Sequence, residues 1–365
     1  MRIAAVLWNG NIGGAETFTA ALCRTMRELG VEVGIVFVSD GKPLDAQLDA
    51  DAIPHVSLGL RRGSHVIGHP RRLAQSVRAF DADGALLPRA GYLAAALRAG
   101  RFKHPLVAVA HDALATLGPS RPIDRVIRRV DRLAGLLASD VDVAVSDFVL
   151  AHMRRQVRRR RLVRIYNGVD LSKYRPGTHS LSAGLPTIGC AARLVEGKGI
   201  DVLIRAFAGT LAPEGARLRI AGNGPTRPAM ERLASELGVE HSVQFTGWSS
   251  DMPAFWRSCD IAALPSDRAV ESFGMAAVEA MACARPVVAT ANGALPELVA
   301  DGATGSIVPR GDAEALGAAL LALARDPHRR HTMGVAARTR CEQLFDIRDC
   351  AAAYLGLFEH ADLQQ

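Results

Sequence analysis

The stretch that decides the fold is IAALPSDRAVESFGMAAVEAMACARPVVAT, residues 261–290. Residues 261–264 form a short apolar run that ends at Pro265. A helical pattern starts near Gly274 and continues through Met281, and residues 286–290 are a second apolar run. Short apolar runs alternating with helical segments are the mark of strands buried on both faces of a parallel sheet. The same alternation extends outward from here. In the second half it predicts strands at 187–191, 218–221, 243–246 and 306–308, and in the first half at 2–7, 32–38, 105–110, 141–145 and 163–166. Helical patterns lie between them. The one at 15–29 puts Phe18, Leu22 and Leu29 on one face and stops at Gly30. The fold class is α/β, with two Rossmann-like, doubly wound domains facing each other across a cleft.

Length and composition agree with two domains. The chain has 365 residues, 49% of them hydrophobic and 22% charged, which suits two cores and excludes a disordered chain. The 34 glycines and 18 prolines are scattered, so no collagen-like or low-complexity segment is present. Asn167-Gly168-Val169-Asp170 through Pro186 is rich in Gly, Pro and Ser and interrupts the periodicity. The expected domains are therefore 1–168, a linker at 169–186, and 187–346. A closing helix in 347–365 is placed to cross back to the first domain. The six cysteines lie far apart and form no CxxC pair, so they read as buried free thiols in a reducing cytoplasm. The segment after Arg2 is too short for a signal peptide, and no run of about 18 apolar residues lacks a charge, so no membrane span is expected.

Charge is shared unevenly. The formal net charge is +7, yet residues 1–169 carry 25 cations against 15 anions while residues 170–365 carry 19 against 22. The balance suggests an anionic partner without naming one.

Several motifs carry chemistry. The first predicted strand runs into Asn9-Gly10-Asn11-Ile12-Gly13-Gly14-Ala15-Glu16, and a helix follows. Glycines there let a ligand approach the backbone, and the helix amino terminus offers N–H groups to an anion. The spacing fits neither GxGxxG nor a P-loop, which argues against a plain dinucleotide or ATP site. In the second half, Arg193 follows a strand and Lys198 comes five residues later, just before a helix; two cations there suit a diphosphate. Gly222 and Gly224 make a glycine-rich turn after another strand, and Phe245 to Trp248 closes a third and can wall a flat base. Glu271-Ser272-Phe273-Gly274-Met275 precedes a helix whose first N–H groups, at Phe273, Gly274 and Met275, can face a phosphate. Glu279, on the first turns of that helix, can accept two hydroxyl hydrogen bonds of the kind a ribose provides. Glu271 lies ahead of the helix.

Taken together, Arg193 with Lys198, Gly222-x-Gly224-Pro225, Glu271 and Glu279 eight residues apart, Asn167 to Asp170 and Gly13-Gly14-Ala15-Glu16 resemble the retaining glycosyltransferases of family GT4. The resemblance spans essentially the whole chain, is strong at 187–310 and loose at 40–100. Two departures, Ala192 before the arginine and Asn292-Gly293-Ala294 in place of paired glycines, bear on loop geometry. The resemblance implies a GT-B fold and a nucleoside-diphosphate sugar donor, a UDP-sugar preferred. It implies an N-terminal acceptor domain and transfer of a hexosyl-type sugar to an acceptor hydroxyl in bacterial glycan, glycolipid or glycosylated metabolite synthesis. Arg193 and Lys198 would hold the diphosphate and Glu279 the ribose. Glu271, Ser272 and the Phe273–Met275 backbone would engage the sugar and its phosphate, and Gly13 and Gly14 would approach the diphosphate. His111, after the strand at 105–110, matches the family's cleft histidine on the donor sugar.

The catalytic set expected is His111, Glu271, Arg193 and Lys198, with no metal and no cofactor, since preorganised cations and a helix terminus can stabilise the leaving diphosphate. Retention can run through a covalent carboxylate or by same-face attack on an ion pair, and the resemblance favours the second. The basic first half leaves two readings open. Segments 70–80 and 122–137 set apolar stripes among Arg71, Arg72, Arg78, Arg125, Arg128, Arg129 and Arg132, either as a peripheral surface on the inner membrane face for a lipid-linked acceptor or as ordinary core-facing helices. A GT-B nucleotide-sugar epimerase is an alternative. A nucleic-acid binder, suggested by the run Arg158–Arg161, is disfavoured by the lack of interleaved aromatics.

Overall fold

The computed structural model describes residues 1–10, 13–60, 66, 68–87, 91–111, 133–135, 137–155, 161–177 and 186–362. The chain divides into two units, Met1–Gly168 together with Ile347–Gln365, and Val169–Asp346.

In the first unit, strands β1 (Arg2–Leu7), β2 (Glu32–Phe37), β3 (His55–Ser57), β4 (Gly84–Leu87), β5 (Leu106–Ala110), β6 (Val141–Ala144) and β7 (Leu162–Arg164) pair in the order β3-β2-β1-β4-β5-β6-β7. Every pairing is parallel. Parallel neighbours need crossovers, and among the described residues helices α1 (Gly14–Glu28), α2 (Asp45–Ala50), α3 (Pro70–Arg78), α4 (Tyr92–Ala99) and α5 (Asp147–Arg154) lie between the strands. Successive strands leave β1 towards β3 on one side and run from β4 to β7 on the other, so the topological switch falls between β1 and β4. Helix α1 buries Phe18, Leu22, Cys23 and Met26. Helix α3 sends Leu73, Ala74 and Val77 into the core and leaves Arg71 and Arg72 exposed, so its apolar stripe is already used inside the protein. The companion segment 122–137 lies largely outside the described residues, as do Arg158, Arg159 and Arg160.

The second unit repeats the design. Strands β8 (Thr187–Ala191), β9 (Arg217–Ala221), β10 (Val243–Gly247), β11 (Ile261–Leu264), β12 (Val287–Thr290) and β13 (Gly305–Val308) form a parallel sheet in the order β10-β9-β8-β11-β12-β13. The intervening helices are α6 (Ile200–Thr210), α7 (Arg227–Glu236), α8 (Met252–Arg257), α9 (Met275–Ala282) and α10 (Leu295–Leu298), and α11 (Ala313–Arg325) and α12 (Pro327–Leu344) follow the last strand. Ile188, Cys190, Ile220, Ile261 and Val288 of the strands pack with Leu203, Phe207, Leu316 and Leu320 of the helices, all essentially inaccessible. Each such aliphatic side chain contributes about 1.5–3 kcal/mol by leaving water. Here the switch falls between β8 and β11.

Residues 169–177, read from the sequence as the start of a linker, are hydrogen-bonded within this second unit. The Val169 N–H donates to the Phe345 carbonyl at 2.8 Å, and Arg338 of α12 donates to the carbonyls of Tyr174 (2.7 Å) and Leu171. The closing helix α13 (Ile347–Asp362) packs on α1 in the first unit, with Phe358 against Gly84. Two strands in the first unit were not anticipated. β4 is Gly-Ala-Leu-Leu, buried at all four positions, and β3 is a three-residue edge.

Candidate functional site

In open α/β sheets, ligand-binding loops gather beyond the carboxyl ends of the strands at the switch point. In the second unit these are the loops after β8 and β11, which hold Arg193, Lys198 and Glu271. Their closeness is a matter of backbone packing. The Gly197 carbonyl accepts N–H bonds from Asp267, Arg268 and Ala269 at 2.9–3.1 Å. Gly199, at φ +68°, lies so near the chain that a Cβ would come within 1.9 Å of the Pro265 carbonyl oxygen. Only glycine fits that conformation and that gap together.

The result is an ion pair. The Lys198 Nζ donates to Glu271 Oε1 at 2.6 Å, with side chains only 19% and 15% exposed, and the Ser266 hydroxyl donates to the same oxygen. An ammonium has three donors, so Lys198 retains capacity for a ligand's oxygens. Arg193 is exposed beside it on the same loop.

The loop that carries Glu271 is fixed from beneath by a residue that the sequence reading treated only as a departure in loop geometry. Asn292 is fully buried, and its Nδ2 donates to the carbonyls of Ser266 (2.9 Å), Asp267 (3.1 Å) and Ala269 (3.0 Å). Thr290 adds a hydroxyl bond to the Ser266 carbonyl at 2.6 Å. Gly293, at φ +57°, leaves room for the Glu271 carbonyl, which a Cβ would approach to 2.0 Å. Helix α9 then starts at Met275, after Gly274 in a positive-φ conformation. Its first N–H groups lack intrahelical partners and carry partial positive charge towards the same loops. Phe273 contributes backbone only, since its side chain is buried edge-on against Phe345 with centroids 6.0 Å apart. Ser272 and Met275 are half-buried at the start of the helix.

Glu279, one turn into α9, sits in a more enclosed setting than a solvated carboxylate would. Trp256 Nε1 of α8 donates to its Oε2 at 3.2 Å, and Tyr174 and Lys173 lie near the carboxylate. Burial pushes the Glu279 carboxyl up to about 7, partly offset by the bond from Trp256 and by the charge of Lys173. Neither Trp256 nor Tyr174 was singled out from the sequence. Trp256 lies on an ordinary apolar helix, and Tyr174 falls in the stretch read as a linker.

Gly222 and Gly224 follow β9, where added Cβ atoms would meet the carbonyls of Ala192 (1.9 Å) and Leu194 (2.2 Å); this turn therefore lies against the Arg193 loop. The Gly222 N–H also donates to the Gly247 carbonyl at 2.7 Å, which joins the turn to the Phe245–Trp248 segment. Phe245 packs on the core, with the Arg227 guanidinium 5.9 Å from its ring centre, so its ring is engaged within the protein. Trp248 is 56% exposed and is the ring of the two that can meet a ligand.

In the first unit, Gly13 caps α1 in an extended conformation and Gly14 has open space where a side chain would be. His111 follows β5, and its ring meets Phe18 of α1 edge-on at 5.7 Å. Gly13, Gly14 and His111 thus gather at the carboxyl ends of β1 and β5. Among the described residues no three His, Cys, Asp or Glu side chains cluster as a metal site would require, and no helix is long and apolar enough to cross a membrane.

Both halves of the chain resemble known proteins. The family model for glycosyltransferase family 4 matches residues 12–173, and the model for glycosyl transferases group 1 matches residues 178–340. The chain is 38% identical over 188 residues to a GDP-mannose-dependent α-(1-6)-phosphatidylinositol monomannoside mannosyltransferase of Mycolicibacterium smegmatis, a match covering 47% of this chain and 49% of that protein. It is 29% identical to a D-inositol 3-phosphate glycosyltransferase of Corynebacterium aurimucosum, over 92% of this chain and 88% of that one. The matches to the mannosyltransferase and to an inositol phosphate glycosyltransferase from the same Mycolicibacterium strain span about half the length of those relatives. Anabaena HepE, solved with UDP and glucose, superposes with a TM-score of 0.84 at 22% identity, covering 98% of this chain and 99% of that one. The chain belongs to the family 4 glycosyltransferases and has their GT-B fold.

Proposed function

We propose that the protein transfers a hexosyl-type sugar from a nucleoside-diphosphate sugar, preferably a UDP-sugar, to an acceptor hydroxyl, with retention of anomeric configuration and without a metal ion. The observation that carries this reading is the Lys198–Glu271 pair at the β8/β11 switch, beside the amino terminus of α9. In the reaction the anomeric C–O bond to the diphosphate breaks, positive charge develops on the sugar and negative charge on the leaving diphosphate. Lys198, Arg193 and the α9 N–H groups are arranged for the second charge. The acceptor oxygen then bonds to the anomeric carbon from the same face, and its proton passes to the departing diphosphate. Glu271 keeps Lys198 oriented and faces the sugar, and Glu279 binds the ribose.

The names of the relatives support a polar, phosphate-bearing or lipid-linked acceptor, because one acts on a phosphatidylinositol mannoside and another on inositol 3-phosphate. A lipid-linked acceptor is compatible with peripheral contact at the inner membrane face. A calorimetric screen of UDP-, GDP-, ADP- and dTDP-sugars tests the donor. Release of nucleoside diphosphate that depends on added acceptor, undiminished by a chelator, with an NMR-identified product of unchanged anomeric configuration, is expected. Acceptor-independent turnover to an isomerised sugar nucleotide would refute transfer.

A further inference from the structure

The apolar stripe of segment 122–137 can face the core or an outer surface, and the described end of the segment turns outward. Leu133 is 55% exposed and Leu137 69%, the highest value among the described large hydrophobic side chains. Four residues apart on helical backbone, they share one side. Leu137 and Ala134 line an open groove of about 850 Å³, together with Phe102, Arg98, Arg101 and Lys103. The groove lies at the amino ends of the strands. Asp140, also in its lining, donates its N–H at 2.9 Å to the carbonyl of Leu106, the first residue of β5. Gly13, Gly14 and His111 are at the opposite end of the same sheet.

Charge on this face has one sign. Asp140 is the one carboxylate in the lining, and its side chain is taken by Arg98 and by the Leu106 N–H at 2.7 Å. Arg101 and Lys103 are exposed and enter no ion pair among the described residues. Arg161, exposed just ahead of β7, adds a third such cation at this end of the sheet. Arg101 also occupies a position that suits another residue. Helix α4 ends in a turn where the Phe102 N–H donates to the Leu97 carbonyl and the Arg101 N–H to the Arg98 carbonyl, both at 2.9 Å, with Arg101 at φ +65°. Glycine is the usual occupant there, because it has no Cβ to strain. The glycine of this turn stands one residue earlier, at Gly100, where a Cβ would come within 2.3 Å of the Pro70 carbonyl oxygen.

We propose that this face of the first unit docks on an anionic lipid bilayer: Leu133 and Leu137 enter the boundary of the acyl chains, and Arg101, Lys103 and Arg161 meet the headgroup phosphates. Exposed aliphatic side chains set among cations are what such an interface binds. A second copy of the chain fits less well, because a two-fold contact would set Arg101 and Lys103 beside their own copies. The surface rests on the reading of the protein as peripheral to the membrane and gives that contact its residues. Docking at the amino ends of the strands leaves the loops at their carboxyl ends uncovered.

The test is sedimentation of the full chain with vesicles of phosphatidylcholine alone, and of phosphatidylcholine and phosphatidylglycerol in equal parts, at low and high salt. Each protein is also melted. Wild type should sediment with the anionic vesicles, be released by salt and ignore the neutral ones. The double variant Arg101→Gly, Lys103→Gln should bind the anionic vesicles about thirtyfold more weakly, the change for two cations at such a surface. It should melt no lower than wild type, because glycine relieves the turn. The double variant Leu133→Ser, Leu137→Ser should weaken binding at least about tenfold. Nucleoside diphosphate binding should be unchanged in both. Undiminished vesicle binding in either variant overturns this surface and leaves the peripheral reading standing. Wild type that sediments with neither vesicle overturns both. Self-association of wild type that the leucine substitutions abolish, in place of vesicle binding, assigns the face to a second copy and overturns the proposal as well.

Discussion

Replacing Glu279 by glutamine should stabilise the ligand-free protein in alkaline solution while weakening its grip on nucleotide. Burial raises this carboxyl from an ordinary 4.5 to about 7. The groups facing it are Lys173 and Tyr174 before β8, Trp256 of α8, and Cys283 after α9. A raised carboxyl favours the protonated fold, so its contribution is fully present below pH 4.5 and is lost as pH climbs through 7. The rise corresponds to about 3 kcal/mol of stability forfeited above pH 7, taking roughly 1.4 kcal/mol for each pH unit. Glutamine is neutral at all pH values and keeps an acceptor oxygen for Trp256. For a unit of this size about 1 kcal/mol shifts the melting temperature by about 2–4 °C. The variant should therefore melt about 6–12 °C above wild type at pH 8.5 and within about a degree of it at pH 4.5. Calorimetric or circular-dichroism melts across that range measure it. A difference between the two proteins that does not grow with pH would refute the burial argument.

Three other substitutions and one chemical treatment probe the same scaffold. Asn292→Ala removes the amide that donates to three carbonyls beneath the Glu271 loop and should cost about 1–3 kcal/mol, together with most of the turnover; a denaturant titration and a rate assay check both. Gly293→Ala forces a Cβ to within 2.0 Å of the Glu271 carbonyl, whereas Gly238→Ala, at a similar positive φ, meets open space. The second should cost only the left-handed strain of about 1–2 kcal/mol and leave activity intact, whereas the first should lose donor binding; equal effects would contradict the loop geometry. All six cysteines are buried and free, and burial pushes the thiols of Cys23, Cys190 and Cys341 up to about 12. Iodoacetamide at pH 8 should label none of them in the native protein and all of them after unfolding, read by mass spectrometry.

Much of this architecture is legible in the sequence because a strand covered on both faces must be apolar throughout. Runs such as Thr187–Ala191 and Ile261–Leu264 coincide with β8 and β11 for that reason. β4 escapes notice because Gly84-Ala85-Leu86-Leu87 lacks β-branched residues, and its strand state comes from pairing with β1 and β5. Arg193, Lys198, Glu271 and Glu279 are visible as charged residues placed against glycine turns and helix starts. What holds them is not visible. Asn292 acts through three carbonyls 23–26 residues away in the chain, and Trp256 and Tyr174 meet Glu279 only after α8, α9 and the 169–177 segment have packed. Long-range hydrogen bonds of this kind leave no periodic signal. Net charge was also a poor guide, since the densest set of site residues lies in the half that carries more anions than cations.

In the proposed reaction Lys198, held by Glu271 at the β8/β11 switch, binds and stabilises the donor's diphosphate. The most direct measurement is the rate of nucleoside diphosphate release by Lys198→Ala from the donor that the screen identifies, with a thermal melt of the same sample. A fall of at least about 100-fold is expected in a protein that still melts cooperatively, the size seen when a preorganised group on developing negative charge is removed. Undiminished turnover in that folded variant would contradict it.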